Sequence, residues 1–309
     1  MEDSILEFQS VFPSVLREAS EKILKTEIKV GRRFQSADSF SYLLNTNSGK
    51  YVGKIYRFAH WPPQGKLQYI ETLLDKNHIP HEETIYSSHE HPLFRFGWQI
   101  SKYIPGGAAR DLRETGKFNP QEYYIKTGKI LRRIHEIQFD YYGSLHDKED
   151  QFSSFQEYTM HELEEQDYSN LPNEYAWAHK IIDEAKTYVH DVLPKLEWGK
   201  PVLVHDDVND RNVIWNQGDP IIIDWVDSLA STPSRDFATM TFRQDDSVIP
   251  FIERGYGEKI NEKELKVHQI MRFIRLGRFF YFEDKDVPEL KKMMDRLSAL
   301  LKRSRPYGS

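Results

Sequence analysis

"LVHDDVNDRNVIWNQGDPIIIDW", residues 203–225, sets five acidic side chains into a run bounded by apolar segments. Asp206, Asp207 and Asp210 crowd a short loop beside Asn209 and Asn212, and Asp224 closes an apolar stretch. Like charges repel, and carboxylates at the end of an apolar stretch lose hydration. Something must offset that cost, and a bound cation is a candidate. "NVIWNQGDPIIID" reads as a hairpin with strands at 213–215 and 221–223 and a turn around Gln217-Gly218-Asp219. Gly218 lies six residues from both Asn212 and Asp224, so folding there brings an amide oxygen and a carboxylate together at the open end. Hard oxygen ligands, few in number and leaving room for water and phosphate oxygens, suit magnesium. Asp207, five residues before Asn212, falls in the same mouth with no obligatory metal role.

This arrangement has the logic of phosphoryl transfer, in which one Asp accepts a proton from a substrate hydroxyl while an Asn and another Asp hold the metal on the triphosphate. His205-x-Asp207-x4-Asn212 has the spacing of the protein-kinase catalytic loop, and Asp224 falls where protein kinases carry their metal-binding Asp. The text reads "HDD" and "DWV" where those enzymes have "HRD" and "DFG", with no "APE" and no "GxGxxG". These departures point to a cousin. The chain resembles the aminoglycoside phosphotransferase and choline kinase-like superfamily of small-molecule kinases, which typically shows "HGDxxxxN", then "IDW" or "IDF", then an Asp before a small-residue helix. Here the segments are "HDDVNDRN" at 205–212, "IDW" at 223–225 and "RDFA" at 235–238, and the resemblance covers almost the whole chain in order. It implies that Asp207 is the catalytic Asp, that Asn212 and Asp224 are magnesium ligands, and that Asp236 braces the catalytic loop. His205 is expected to anchor backbone in that loop. Asp206 replaces the usual glycine; Asp tolerates unusual backbone angles better than most residues, so the loop survives while its charge and substrate contacts are put in question.

The rest of the chain fits an α+β, bilobal, protein-kinase-like fold with a small, mainly β N-lobe and a larger helical C-lobe. Residues 3–25 have helical spacing interrupted by Pro13. "TEIKVGRRF", "SFSYLLNT" and "KYVGKIYRF" read as strands, "GKLQYIETLLDKN" as a helix, and "LFRFGWQISKYI" as a strand leading to a flexible joint at "PGG", 105–107. Beyond Gly107 the pattern turns helical. "NPQEYYIKTGKILRRIHEI" starts with an Asn cap at 119 and Pro120 in the first turn, and Glu262–Lys302 reads as one long helical stretch. The expected division is 1–104, a nucleotide lobe with the hinge at its end, and 105–309, a catalytic and acceptor lobe.

On the nucleotide side, the period of two puts Val52, Lys54 and Tyr56 on one strand face. Lys54 resembles the strand lysine that pairs with nucleotide phosphates, and Val52 would cover adenine. The family's usual glutamate partner falls by spacing on Gln68; Glu71, nearly one helical turn on, is the substitute candidate. "QISKYIPGG" resembles the segment that joins the lobes, with the Lys102 carbonyl and the Ile104 amide as adenine contacts. Ser36 and Ser39, in "GRRFQSADSF", are candidates to cover phosphates, with a plain hairpin turn the competing reading.

Composition bounds the partners. There are 309 residues, 48 acidic against 42 basic, a net charge of −6 and no cysteine, which disfavours nucleic acid and excludes disulfides, thiol nucleophiles and Cys-ligated zinc. An acidic N-terminus and the lack of a long apolar run lead to the expectation of a soluble cytoplasmic protein with no membrane partner. The histidines of "HIPH" (78–81) and "HEH" (89–91) read as surface or loop residues, and His135 as a packing residue. The acidic runs "HELEEQD" (161–167) and "QDD" (244–246) read as solvated faces, or as the lining of a site for a cationic acceptor. The expected activity is transfer of the γ-phosphoryl group of ATP or GTP, with Mg2+, to a hydroxyl of a small acceptor, a cationic one being a candidate. An aminoglycoside or other antibiotic leads, and choline, sugar or amino-alcohol acceptors are the alternatives. A non-catalytic kinase-like binding protein is the rival from another class.

Overall fold

Pro13, expected to interrupt a helix, instead begins one. The computed structural model describes residues 10–36, 39–91, 96–116, 119–242 and 246–303. Within it, helix α1 (Phe12–Leu24) carries Pro13 in its first turn, where a missing N–H removes no intrahelical bond. The strands that follow are β1 (Lys29–Phe34), β2 (Ser39–Thr46), β3 (Gly49–Ala59), β4 (Thr84–Ser88) and β5 (Phe96–Lys102), with α2 (Lys66–Lys76) between β3 and β4. They form an antiparallel sheet in the order β1-β2-β3-β5-β4. Side chains on adjacent strands line up by register: Phe40 lies opposite Ile55, and Ile55 opposite Trp98. That row joins Phe12 and Leu16 of α1 in a buried apolar cluster. Ser41, Lys54 and Gln99 form the neighbouring row, and the alternation of a strand turns them to the opposite face.

After β5 the chain was expected to loosen at 105–107, but Gly107 begins a short strand, β6 (Gly107–Ala108), paired with the hairpin of the 203–225 run. A side chain on Gly106 would strike the carbonyl of Trp215, so glycine there serves close backbone approach rather than flexibility. Helix α3 (Ala109–Glu114) follows directly. Contacts therefore divide the chain discontinuously, into Met1–Phe118 with Asp210–Asp227, and Asn119–Asn209 with Ser228–Ser309, rather than at a single boundary near 104.

The second unit is mainly helical: α4 (Pro120–Ile134), α5 (Phe155–Glu165), α6 (Ala176–Val192), α7 (Ser234–Thr241), α8 (Ile249–Tyr256), α9 (Glu262–Arg278) and α10 (Val287–Lys302). The side chain of Asn119 caps α4, accepting from Gln121 and Glu122 as its sequence implies. The C-terminal stretch is not one helix, since a π-helical turn at Phe279–Glu283 separates α9 from α10, whose N-terminus is capped by Asp286. Phe155, Leu163, Ile182, Val189, Ile270 and Leu297 belong to its core. This unit also holds a sheet that the sequence did not reveal, with strands Gln151–Phe152, Tyr142–Gly143, Leu229–Ser231 and Val202–Val204 in that order. Strands of two or three residues are too short for alternation to register. The sheet matters to the site because Val204 and Leu229 pair, which sets the loop after 204 beside the start of α7. No helix among the described residues is long and apolar enough to cross a membrane.

Candidate active site

In the first unit, the run 210–227 forms the expected hairpin, with Val213 opposite Ile222 and Asn216 opposite Asp219. Its two-residue turn, Gln217-Gly218, has positive φ at both positions, as a type I′ turn requires. One step beyond the last pair, the Ile223 amide donates to the Asn212 carbonyl at 2.9 Å, so Asn212 and Asp224 end on the same side of the open mouth. Asp224 has φ 67°, a left-handed conformation that a non-glycine residue holds at a cost and that is frequent at functional sites.

Lys54 Nζ donates to Asp224 Oδ1 at 2.9 Å, across 170 residues of sequence. The lysine is nearly buried whereas the aspartate side chain is a quarter exposed. Burial by itself would lower the lysine pKa, but Asp224, then Tyr56 and Glu82, outweigh it and hold the ammonium charged. Tyr56, on the same strand face, lies with its ring 5.6 Å from Nζ and donates its hydroxyl to Gln99 at 2.5 Å. The expected Lys54–Glu71 pair does not form. Glu71 reaches the start of β4 instead, where Oε1 accepts from the Thr84 amide at 2.9 Å. The second acid acting on Lys54, after Asp224, is Glu82, which accepts the Asp224 amide at 2.7 Å. Spacing on α2 could not reveal Glu82, because it lies beyond the helix in "HIPHEET" and meets Asp224 only through tertiary pairing. Val52 sits two residues before Lys54 in β3, half-buried. Lys102 ends β5 with Nζ on Glu83 at 2.7 Å, and Ile104 lies just past the strand, half-buried. Ser36 and Ser39 share a hydrogen bond of 3.0 Å.

In the second unit, the loop 205–209 is fixed from beneath by Asp236. Its Oδ1 accepts the Asp206 amide at 2.8 Å, and its Oδ2 accepts the His205 amide at 3.1 Å. His135 Nε2 lies 3.1 Å from the same Oδ2, with Nδ1 against the Tyr256 hydroxyl. His205 is fully buried, and its Nδ1 accepts the Asp207 amide at 3.2 Å. Thr239 Oγ1 reaches the Val208 carbonyl at 3.1 Å. The Asp207 carboxylate is partly exposed and takes Arg272 Nη2 on Oδ1 at 2.6 Å, while Arg272 Nη1 binds the Asp206 carbonyl at 2.9 Å.

Asp206 resolves the question raised by its replacement of glycine. Its φ of 63° is the left-handed conformation a glycine would supply, and its carboxylate turns inward, 3% exposed. Arg235 grips both oxygens, at 2.8 and 3.0 Å, and Arg275 adds a 2.6 Å bond to Oδ2. Glu162 balances Arg235 through two further 2.8 Å bonds. Burial alone would raise the Asp206 carboxyl, but Arg235 and Arg275 prevail and hold it well below the usual carboxylate range. The same group, with Gln166, Met271 and Arg272, lines a small concavity. His268 also lines it, pushed down to about 3 by burial and then by Arg235, so it is neutral there. Of the 161–167 run, Glu162 and Gln166 line the concavity, whereas Glu164, Glu165 and Asp167 face solvent. Most of "QDD", 244–246, lies outside the described residues.

The hairpin mouth suits a hard cation. Its donors are oxygens, and Lys54 engages one oxygen of a partly exposed Asp224 carboxylate. A five-stranded antiparallel sheet unit with a lysine–aspartate pair, and a helical unit carrying an aspartate-pinned loop, define the kinase-like bilobal class. The sequence model described as the phosphotransferase enzyme family, APH, matches residues 30–270, and the chain belongs to that family. It is therefore a phosphotransferase. Solved structures of the same fold include aminoglycoside phosphotransferase APH(4)-Ia, with a TM-score of 0.74, 12% identity, and coverage of 95% of this chain and 99% of that one. Spectinomycin phosphotransferase APH(9)-Ia in complex with ADP and spectinomycin gives 0.60 at 16% identity, covering 92% and 97%. The gentamicin–APH(2")-IIa complex gives 0.65 at 19% identity, covering 93% and 95%. A search of curated proteins by sequence finds no match.

Proposed function

We propose that the chain transfers the γ-phosphoryl group of ATP or GTP to a hydroxyl of a small molecule, with an aminoglycoside or another antibiotic as the leading acceptor. The observation that carries this reading is the Lys54–Asp224 pair at the mouth of the hairpin, in a chain of the phosphotransferase family. The first unit, 1–118 with 210–227, supplies the nucleotide site, with the hinge at the end of 1–104 where Val52, Lys102 and Ile104 meet the base, and the second unit supplies catalysis and acceptor binding. Lys54 neutralises phosphate oxygens, and Glu82 takes over the bracing role first sought at Glu71. Asn212 and Asp224 would hold Mg2+, which when bound draws charge from the triphosphate. Asp207 orients the acceptor hydroxyl and accepts its proton, with Arg272 and Asp236 holding the loop still. Catalysis comes from positioning and charge neutralisation, with no covalent enzyme intermediate.

Spectinomycin, gentamicin and hygromycin B in complexes of the similar structures support antibiotics as the first acceptors to try. The concavity beside Asp207 has its charges paired internally, Arg235 with Glu162 and Asp206, and Arg275 with Asp206. Choline, sugar and amino-alcohol acceptors therefore belong in the same panel as the polycationic antibiotics. The test is a coupled nucleotide-turnover assay across that panel, with ATP and GTP each as donor. Acceptor-dependent turnover abolished by Asp207→Asn supports the reading. Nucleotide binding with no acceptor-dependent turnover for any class would turn it toward a binding protein.

A further inference from the structure

We propose that His60, His89 and Glu90 form a surface site for a borderline divalent cation, Zn2+ in the first instance, in the first unit. The three come from two connections: His60 directly follows β3, and His89 and Glu90 follow β4. In sequence they look like unrelated loop residues. In the fold, one ligand atom from each lies within 4.8 Å of the others. Zinc bonds of roughly 2.0–2.2 Å place two ligands of one ion a little over 3 Å apart, so small side-chain rotations close the set. His60 Nδ1 and Glu90 Oε1 are already at 3.1 Å.

The surroundings orient these groups as ligands. His89 Nδ1 pairs with the side-chain oxygen of Gln64 at 2.7 Å, which fixes the proton on Nδ1 and leaves Nε2 as the lone-pair donor. A second partner that sets the tautomer in this way is the usual companion of a metal-binding histidine. The two imidazole rings lie 6.0 Å apart and only 37° from parallel. The backbone beneath is fixed. Ser88 Oγ donates to the Glu90 carbonyl at 2.8 Å and accepts the Glu90 amide at 3.3 Å. On the other side, any side chain on Gly97 would collide with the Trp61 carbonyl, so the segment carrying His60 is seated against β5.

Two imidazoles and one carboxylate match the donor preference of zinc, and the half-exposed positions of His60 and Glu90 leave room for water as a fourth ligand. Magnesium, which demands oxygen ligands in near-octahedral geometry, is a poor occupant. The ion would tie the β3–α2 connection to the turn after β4. This site is independent of the one at Asn212 and Asp224 and does not rest on the proposed activity.

The experiment uses full-length protein without a histidine tag, stripped with a chelator and titrated with Zn2+ alone by calorimetry. The expected result is one tightly held ion per chain, not displaced by excess Mg2+, with a melting temperature that rises with zinc concentration. His60→Ala and His89→Ala should each abolish the tight phase, and Gln64→Ala should weaken it by roughly 10–100-fold. Because these side chains are largely at the surface, the metal-free variants should melt with the wild type. Glu90→Gln, which keeps shape, is the further check and should also weaken binding. Absence of a tight phase in the wild type overturns the proposal, as does unchanged affinity in the His60→Ala/His89→Ala double variant.

Discussion

Asp224 in the first unit and Asp206 in the second both come from one acidic run, and both sit in left-handed backbone, yet they are satisfied in opposite ways. Asp224 meets a single lysine and keeps a quarter of its side chain in contact with solvent. Asp206 is almost sealed and meets two arginines, one of them gripping both oxygens and itself balanced by Glu162. A carboxylate with one partner and open solvent can change partners when a cation or phosphate arrives. A carboxylate enclosed by fixed guanidinium forks cannot, because leaving them would strand a charge in a dry site. The contrast separates a group kept for exchange from a group kept for shape. Asp207, beside Asp206 in the chain but partly exposed, belongs with the former even though Arg272 holds one of its oxygens.

Four measurements test that contrast. The largest expected effect is on turnover: Asp207→Asn keeps size but removes the proposed proton acceptor, and kcat should fall by roughly 10²–10⁴-fold with nucleotide affinity little changed. Near-normal kcat would mean that positioning alone suffices.

Stability should show the next effect. Arg235→Met takes from Asp206 and Glu162 the guanidinium they share, leaving Asp206 with Arg275 alone, and removal of one partner from a buried pair costs about 3–5 kcal/mol, read as a lower urea midpoint. Lys54→Met frees an aspartate that already meets water and should cost much less. Equal losses in the two variants would refute the division between exchange and shape. A third variant, Arg235→Met with Asp206→Gly and Glu162→Gln, should recover much of the loss, because it removes the two carboxylates that lost a partner and restores a residue suited to φ 63°.

Smaller and metal-dependent is the response to nucleotide. Mg2+ with ATP should raise the melting temperature of the wild type by mass action, and Asp224→Ala should lose the magnesium-dependent increment. An undiminished increment in Asp224→Ala would remove that residue from the metal site. The smallest effect concerns pH. The Asp206 carboxyl is held below its unfolded value, so its contribution is present above about pH 4 and drains away as pH falls further. In Arg235→Met the acid limb of the stability curve should flatten, and a limb identical to that of the wild type would assign acid lability to other carboxylates.

Much of the first region was legible in the sequence, because its signals are local. Gly218 midway between Asn212 and Asp224, and the alternation of Val52, Lys54 and Tyr56, each state a geometry within a few residues. Asp206 in place of glycine was visible as an anomaly, but its solution was not. Arg235 lies in the next motif and Arg275 on α9, and nothing in the spacing of either announces a shared partner. Glu82 was missed for the same reason: its bond to the Asp224 amide joins positions 142 apart. Glu71 was misassigned because helical spacing predicts which side of α2 a residue occupies, not which strand end lies within reach. The "PGG" joint failed on a different count, since glycine marks close approach as often as freedom, and only the Trp215 carbonyl above Gly106 decides between them.

The discontinuous first unit has a consequence for synthesis. Lys54 leaves the ribosome 170 residues before Asp224, and β6 more than 100 residues before the hairpin strand it pairs with. At about 5–20 residues per second, roughly 9–34 s separate the lysine from its ion-pair partner. During that interval the sheet face bearing Lys54 should stay wet, since an ammonium lacking its hydrogen-bonded carboxylate resists burial. The nascent chain thus holds the sheet face that carries Lys54 open until nearly three quarters of the protein has been made, and an N-terminal fragment ending near residue 118 would remain in that state.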